Sequence, residues 1–454
     1  MRLFRSSGRP WGPKACASST EVFVAAGHPL QRFASELEKA QCIWVAYSGG
    51  LDSSVLLDLV VEIVAPTKLR VLHINHGLHE DAGDWQKFCR LQCERLGVAF
   101  ESVKVELDAS ANVEERAREE RYRIFEQKLV EGSLLLTAHH ANDQAETVLF
   151  RMMRGAGLRG LAGMPTRRPL GQGFLLRPLI SLEKAALLKL ARERGLQWVE
   201  DTSNENPRFS RNFLRSKIIP DLEKHWPAAV QKINQSALAM HEANELLEQY
   251  AYELSDRCGL QDEALGVSLD LLRFNALSKA QRQLLLRQLL AGQGVYPETS
   301  RLDEALAQLY RVDSESRIRD KYEQVELGVF KFRLYLLPPL ANVDSAQTYE
   351  WDASSDLVLP GVGVLPASEK LAALGTFEVG FRQGGERVHP IGREHSHSLK
   401  KLLQECNAPP WIRERSPLIY LNGELIAVAG LFSCLEAIPP PQIEWREDLL
   451  QASS

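Results

Sequence analysis

The chain reads as an α/β protein: a doubly wound parallel sheet, then a mainly helical middle domain, then a small α+β C-terminal domain. Three observations predict this. Short apolar runs alternate with helical stretches from Ile43 to Asp143 and beyond, and repeated β–α alternation favours parallel strands with helices on both faces. Residues 228–310 carry mainly helical periodicity. Residues 355–454 are β-rich, and Asn422-Gly423 between two apolar runs is a hairpin turn signal.

Each element follows in order. Residues 43–47 form an apolar strand and 54–64 a mostly apolar helix. Residues 69–75 are strand-like, and 85–96 form an amphipathic helix with Gly97 as its stop. Residues 98–107 alternate as a strand. Asn112 opens a polar helix with Glu115 at capping-box spacing, and Gly132 closes it. Residues 134–138 are a buried-type strand, and a helix starts at Asp143, placed as its N-cap with Glu146 three residues on. Helices are expected at 228–256, 279–291 and 301–310, and 322–337 reads as a hairpin around Gly328. A short helix is expected at 399–406.

Leu337-Pro338-Pro339-Leu340 and the polar stretch after it read as a linker. The expected organisation is a loose N-terminal extension at 1–24, a catalytic domain at 25–225 and a mainly helical domain at 226–340. A linker at 341–354 and a C-terminal domain at 355–454 complete it. The extension is Arg- and Ser-rich, but Pro10 and Pro13 interrupt any amphipathic helix, which disfavours a transit peptide.

Composition excludes several classes. With 454 residues, 44% hydrophobic and 25% charged, the chain is neither disordered nor fibrous, and no apolar run suits a membrane span. Seven scattered cysteines do not resemble a disulfide framework and point to a reducing compartment, the cytosol. Cys89 and Cys93, four apart on a predicted helix, read as core packing. The net charge of −5 gives no hint of nucleic acid, but it hides local patches. Between Thr147 and Leu182 there is no Asp or Glu, yet Arg151, Arg154, Arg159, Arg167, Arg168 and Arg177 all occur. The last domain adds Arg382, Arg387, Arg393, Lys400, Lys401, Arg413 and Arg415 beside Trp411. Such patches suit a phosphate backbone.

The chemistry centres on Ser48-Gly49-Gly50-Leu51-Asp52-Ser53, between a strand and a helix. Adjacent glycines let backbone N–H groups turn toward an anion, and the helix N-terminus adds partial positive charge. No G-K-[ST] follows, so this is not a Walker A loop. Asp143 and Glu146 share one helical face at the carboxyl rim of the sheet. Carboxylates there bind Mg²⁺ on ATP phosphates, grip an ammonium, or only cap the helix. His73, His76, His139 and His140 have no cysteine beside them and read as strand-end packing, with His76 or His140 as a nucleotide contact, rather than a zinc site.

The loop resembles the pyrophosphate-binding loop of the PP-loop, or N-type ATP pyrophosphatase, superfamily. Further motifs narrow the resemblance: His73-Ile74-Asn75-His76-Gly77-Leu78, Glu115-Arg116-Ala117-Arg118-Glu119 with Arg121-Tyr122, and His139-His140-Ala141-Asn142-Asp143-Gln144-Ala145-Glu146. Arg154-Gly155-Ala156-Gly157, Asp201-Thr202-Ser203-Asn204 and Arg211-Asn212 with Arg215 follow. In this order, with Leu399-Lys400-Lys401 and Pro409-Pro410-Trp411 near the end, they resemble the tRNA(Ile)-lysidine synthetase family.

The resemblance implies adenylation of the wobble-cytidine C2 oxygen by ATP, then attack by the lysine ε-amine. It implies ATP and Mg²⁺ as cofactors, and tRNA(Ile) with a CAU anticodon and free L-lysine as partners. No membrane is involved, and a homodimer is left open. Ser48, Gly49, Gly50, Leu51, Asp52, Ser53, Asn75 and His76 would hold the nucleotide, with Asp52 and Asp143 on Mg²⁺. Asp52, Asp143, Glu146 and Arg211 would be catalytic. Arg116, Arg121, Arg154, Arg159, Asn212, Arg215, Lys400, Lys401, Trp411 and Arg413 would meet substrate or tRNA. Asn142 departs from the family, where Asp is frequent. The rivals are a tRNA thiolase, disfavoured because the chain has no C-x-x-C, and a non-catalytic tRNA-binding protein.

Overall fold

The computed structural model describes residues 27–77, 81–105, 113–200, 210–311, 320–322, 324–389, 395–435 and 439–446. The N-terminal extension, Asn112 and Asp201-Thr202-Ser203-Asn204 lie outside the described residues. The chain divides into two compact units between Leu246 and Leu247, inside one long helix.

The first unit runs α1 (Ala34–Lys39), β1 (Cys42–Ala46), α2 (Leu51–Val61), β2 (Leu69–Asn75), α3 (Ala82–Leu96), β3 (Ala99–Lys104) and α4 (Val113–Lys128). It continues with β4 (Ser133–Leu136), α5 (Ala141–Met153), α6 (Leu158–Leu161), β5 (Arg167–Leu170), β6 (Gly173–Leu176) and α7 (Lys184–Glu193). The sheet order is β3-β2-β1-β4-β6-β5. Every neighbouring pair is parallel except β5–β6, an antiparallel edge hairpin that the periodicity did not announce.

Burial on both faces explains the apolar strands. Ile43 and Val45 of β1 enter one core with Leu56 and Leu59 of α2, Cys89 of α3 and Leu187 of α7. Trp44, between them, enters the opposite core with Ile124 and Phe125 of α4. Leu134 and Leu136 of β4 side with the first core and Leu135 with the second, the period-two alternation of a strand. From β1 the chain winds out to β3, then crosses back to β4. The strand order therefore reverses between β1 and β4, where a doubly wound sheet opens a crevice at its carboxyl edge.

After α7 come α8 (Ser210–Phe213), a π-helical turn at Leu214–Ile218, α9 (Ile219–His225) and α10 (Ala229–Arg257). In the second unit, helices Lys279–Gly292 and Thr299–Tyr310 pack with a five-stranded antiparallel sheet. The expected hairpin is there, but it turns at Lys331 and Phe332, both at positive φ, and not at Gly328. Gly328 lies within the ladder opposite Tyr335. A Cβ there would come 2.9 Å from the Trp411 ring, so close packing rather than a turn requires this glycine. Further on, strands Tyr349–Trp351, Phe377–Gly380, Leu418–Leu421, Glu424–Val428 and Phe432–Ser433 form a second sheet in that order. Asn422 and Gly423, at φ 51° and 81°, turn its central hairpin as expected. Among the described residues no helix is long and apolar enough to cross a membrane.

Candidate active site

Two connections meet at the reversal point, one after β1 and one after β4. The first is Ser48–Ser53. Gly49 has φ +86°, and a Cβ on it would lie 2.8 Å from Cys89 Sγ, so both conformation and space demand glycine. Its carbonyl accepts from Val199 N–H at 2.9 Å, which ties the loop to the chain after α7. Gly50 is the N-cap of α2, and no side chain caps that helix. Its first N–H groups lack intrahelical partners, as at any helix start, and form a ready anion site. Ser48 Oγ and Ser53 Oγ lie 3.1 Å apart, and Ser53 Oγ donates to Gly50 O at 3.0 Å. Cys89 and Cys93 are fully buried beneath the loop, and burial pushes both thiols up to about 12. They are packing residues, as the sequence suggested.

The second connection starts α5. Its N-cap is His140, not Asp143: His140 Nδ1 accepts from Asn142 N–H at 3.2 Å, and Asp143 Oδ2 accepts from His140 N–H at 3.0 Å. Asp143 is thus the third helical residue of a capping box whose cap is an imidazole. Asn142 has a separate duty. Its Oδ1 accepts the Lys184 N–H at 2.9 Å and so caps α7, whose own N-cap Glu183 offers no side-chain bond. A neutral amide suffices for that.

His140 joins the two connections. With Nδ1 engaged as an acceptor, the neutral ring carries its proton on Nε2. That atom lies 3.4 Å from Asp52 Oδ2 and 3.5 Å from Asp143 Oδ2. Burial opposes protonation of His140, but the Asp52 hydrogen bond and the charges of Asp143 and Asp52 outweigh it and raise its pKa. Sequence reasoning missed this bridge, because the pairing joins residues 52 and 140 across the sheet.

Arg215, in the π-helical turn, closes the acidic side. Its Nε donates to Glu146 Oε1 at 2.7 Å, and its Nη2 donates to Glu146 Oε2 and Asp143 Oδ1, each at 2.9 Å. Glu146 is only 4% exposed, and burial raises its pKa despite this partner. Single-turn π-helical segments recur at functional sites. Asn212 is half-buried on α8, and Arg211 from the same helix lies over the Phe150 ring at 5.7 Å.

The other expected site residues divide by role. Leu51 opens α2 half-buried. Asn75 is committed to its own loop, donating to Gln86 Oε1 at 3.0 Å and accepting from Gly77 N–H at 2.9 Å. His76, just past the end of β2, is half-buried, and burial with the Arg121 charge drives it down to about 4. Arg116 and Arg121 are exposed on α4, as are Arg154 and Arg159 further on. Arg151 and Arg177, read as RNA-facing, are structural. Arg151 Nη1 donates to the Gly160 and Gly163 carbonyls, and Arg177, 3% exposed, donates to Pro165 O at 2.8 Å. Arg167 pairs with Glu36 at 2.6 Å.

In the second unit Lys400 and Lys401 are exposed on the helix Leu399–Glu405. Trp411 corrects the sequence reading. It is 5% exposed, edge-on to Tyr335 with ring centroids 4.8 Å apart, and offers no face for base stacking. Its size and low polarity earn it a core position before a surface one. Arg413 is half-buried and donates to Ala408 O at 2.5 Å.

Known proteins share this organisation. Residues 24–222 match the PP-loop domain, and residues 377–448 match the TilS substrate C-terminal domain. The tRNA(Ile)-lysidine synthase of Coxiella burnetii is 38% identical over 92% of this chain and 94% of its own. That of Methylococcus capsulatus is 35% identical over 88% and 94%, and that of Pseudomonas syringae pv. tomato 39% over 86% and 88%. With matches at this identity running through both units, the chain belongs to the tRNA(Ile)-lysidine synthase family.

Proposed function

We propose that the chain catalyses the ATP-dependent joining of lysine to the wobble cytidine of tRNA(Ile) with a CAU anticodon. ATP adenylates the C2 oxygen and pyrophosphate leaves; the lysine ε-amine then attacks C2 and AMP leaves. One observation carries the reading: an uncapped, glycine-led helix start suited to phosphate lies one imidazole away from a carboxylate pair suited to an ammonium. An anion subsite and a cation subsite side by side are what a reaction between a nucleotide-activated base and an amine requires.

In this reading Ser48, Gly49, Gly50, Leu51 and Ser53 hold the phosphates, with His76 on the nucleotide side. Asp143 and Glu146 receive the ε-ammonium, while Arg211, Asn212 and Arg215 face the nucleotide or the RNA. Asp52 Oδ1 is shut off from solvent with no hydrogen-bond partner among the described residues, an orphaned hard oxygen that fits Mg²⁺. Asp52 and Asp143 are the residues to hold that ion. When bound, it would neutralise charge on the departing pyrophosphate.

We further propose three functional pieces: catalysis in 25–225, and tRNA binding by 226–340 and by 355–454 beyond a linker at 341–354. Arg116, Arg121, Arg154, Arg159, Lys400, Lys401 and the outer edge of Arg413 are the basic contacts, without Trp411. The experiment incubates the chain with labelled lysine, Mg-ATP and tRNA(Ile) bearing CAU, alongside tRNA(Met) with the same anticodon. Label in tRNA(Ile) alone, with AMP and pyrophosphate released, is expected. AMP without lysine in RNA overturns the choice of nucleophile, and no AMP overturns the enzyme reading.

A further inference from the structure

Every oxygen of the carboxylate pair already accepts a hydrogen bond. Both Glu146 oxygens and Asp143 Oδ1 accept from the one guanidinium of Arg215. Asp143 Oδ2 accepts the His140 N–H of the capping box. Glu146 is buried and both its oxygens face the guanidinium, so an ammonium that is to reach them must come in where the guanidinium stands. A primary ammonium carries the same single charge as the guanidinium and needs the same acceptors. At Glu146 the two compete for one place.

We infer that Arg215 is the resident cation of the ammonium subsite, a built-in competitor that lysine must displace. This rests on the reading of Asp143 and Glu146 as the lysine subsite. Arg215 is placed to leave. Its side chain is 41% exposed, whereas those of Asp143 and Glu146 are 19% and 5% exposed, so the guanidinium has a path to water that its partners lack. It stands on the π-helical turn Leu214–Ile218, where one residue more than an α-helical turn is stored in the backbone. The resting site therefore discriminates against stray amines. Lysine binds weakly until an anion, a nucleotide or RNA phosphate, takes the guanidinium, and by linkage lysine favours that anion in return. A ligand that binds only a minor state has its affinity reduced by the population of that state.

The test is equilibrium dialysis of labelled lysine against the full chain without ATP or tRNA. Arg215→Met should tighten lysine binding by about tenfold or more, because the competing state is removed. Norleucine, which has the same backbone and no ε-amine, should bind the variant and the natural chain alike. Unchanged or weaker lysine binding overturns the inference, and so does equal tightening of norleucine. If Arg215→Met fails to fold with Glu146 left unpaired, Arg215→Lys serves: its single ammonium competes less well than a two-armed guanidinium, so a smaller tightening is expected and none overturns the idea. The natural chain is assayed in parallel for lysine transfer to tRNA(Ile). Transfer with no effect of the substitutions rejects the competitor alone, whereas absence of transfer rejects the functional reading itself.

Discussion

The connection after β1 and the connection after β4 face each other at the sheet's reversal point, yet they are built differently. The first is mostly local: its shape depends on two glycines, a bare helix start and serines within six residues, with Cys89 and Val199 touching it from outside. The second is assembled: its cap comes from His140, its counter-charge from Arg215, and Asn142 beside it serves another helix altogether. Phosphate binding asks only for N–H groups pointing one way, which a short loop can supply. Holding buried carboxylates requires a counter-charge, and a chain that has just turned into a helix must draw it from far along the sequence.

The largest effect should separate the two at Asp52, the one loop residue that reaches across. Asp52→Ala removes the His140 partner and the orphaned oxygen while leaving the glycines intact. AMP release should fall by about a hundredfold or more, the scale of losing a charge-stabilising group at a reacting centre, with the circular dichroism spectrum unchanged. Normal AMP release would sink the assignment of the loop.

Next is the loop's geometry. Gly49→Val forces a side chain into positive φ and against Cys89 Sγ. The left-handed conformation alone costs about 1–2 kcal/mol, and the overlap adds to it. The Michaelis constant for ATP should rise while the affinity for lysine holds. If both move together, the two connections are less independent than their construction implies.

A third prediction concerns pH. His76 has a folded pKa of about 4 against an ordinary 6.5, owing first to burial and then to the Arg121 and His73 charges. Between those values the unfolded chain binds the proton and the folded chain does not, so stability falls as pH drops from 6.5 toward 4. His76→Asn should flatten part of that fall in a melting-temperature series. An unaltered slope would remove His76 from the cause.

The smallest effect belongs to Asn142. Asn142→Ala strips the cap from α7 and should cost about 1 kcal/mol, read as a lower melting temperature, with AMP release preserved. A collapse of activity would instead make residue 142 part of the acidic cluster.

How much of this was legible in advance follows the same division. Alternating apolar runs gave the parallel sheet, because strands buried on both faces must be apolar throughout. The phosphate loop and the Asn422-Gly423 turn were readable too, since glycine and asparagine are selected by backbone angles their own neighbours impose. The Gly328 turn was misplaced for the complementary reason: that glycine answers to Trp411, eighty-three positions away. Trp411 was mistaken for a surface aromatic because a motif reports which residues are present and not which face is covered. The same holds for the arginines from Arg151 to Arg177: Arg151 and Arg177 brace carbonyls within the fold, and Arg167, though exposed, is paired with Glu36. The strands, the phosphate loop and the carboxylate pair can be read along the chain, because apolar runs, adjacent glycines and helical spacing are properties of neighbouring residues. That His140 bridges the two connections and Arg215 fills the acidic pair emerges from folding alone, because charges pair by distance in space and neither distance is written in the order of the chain.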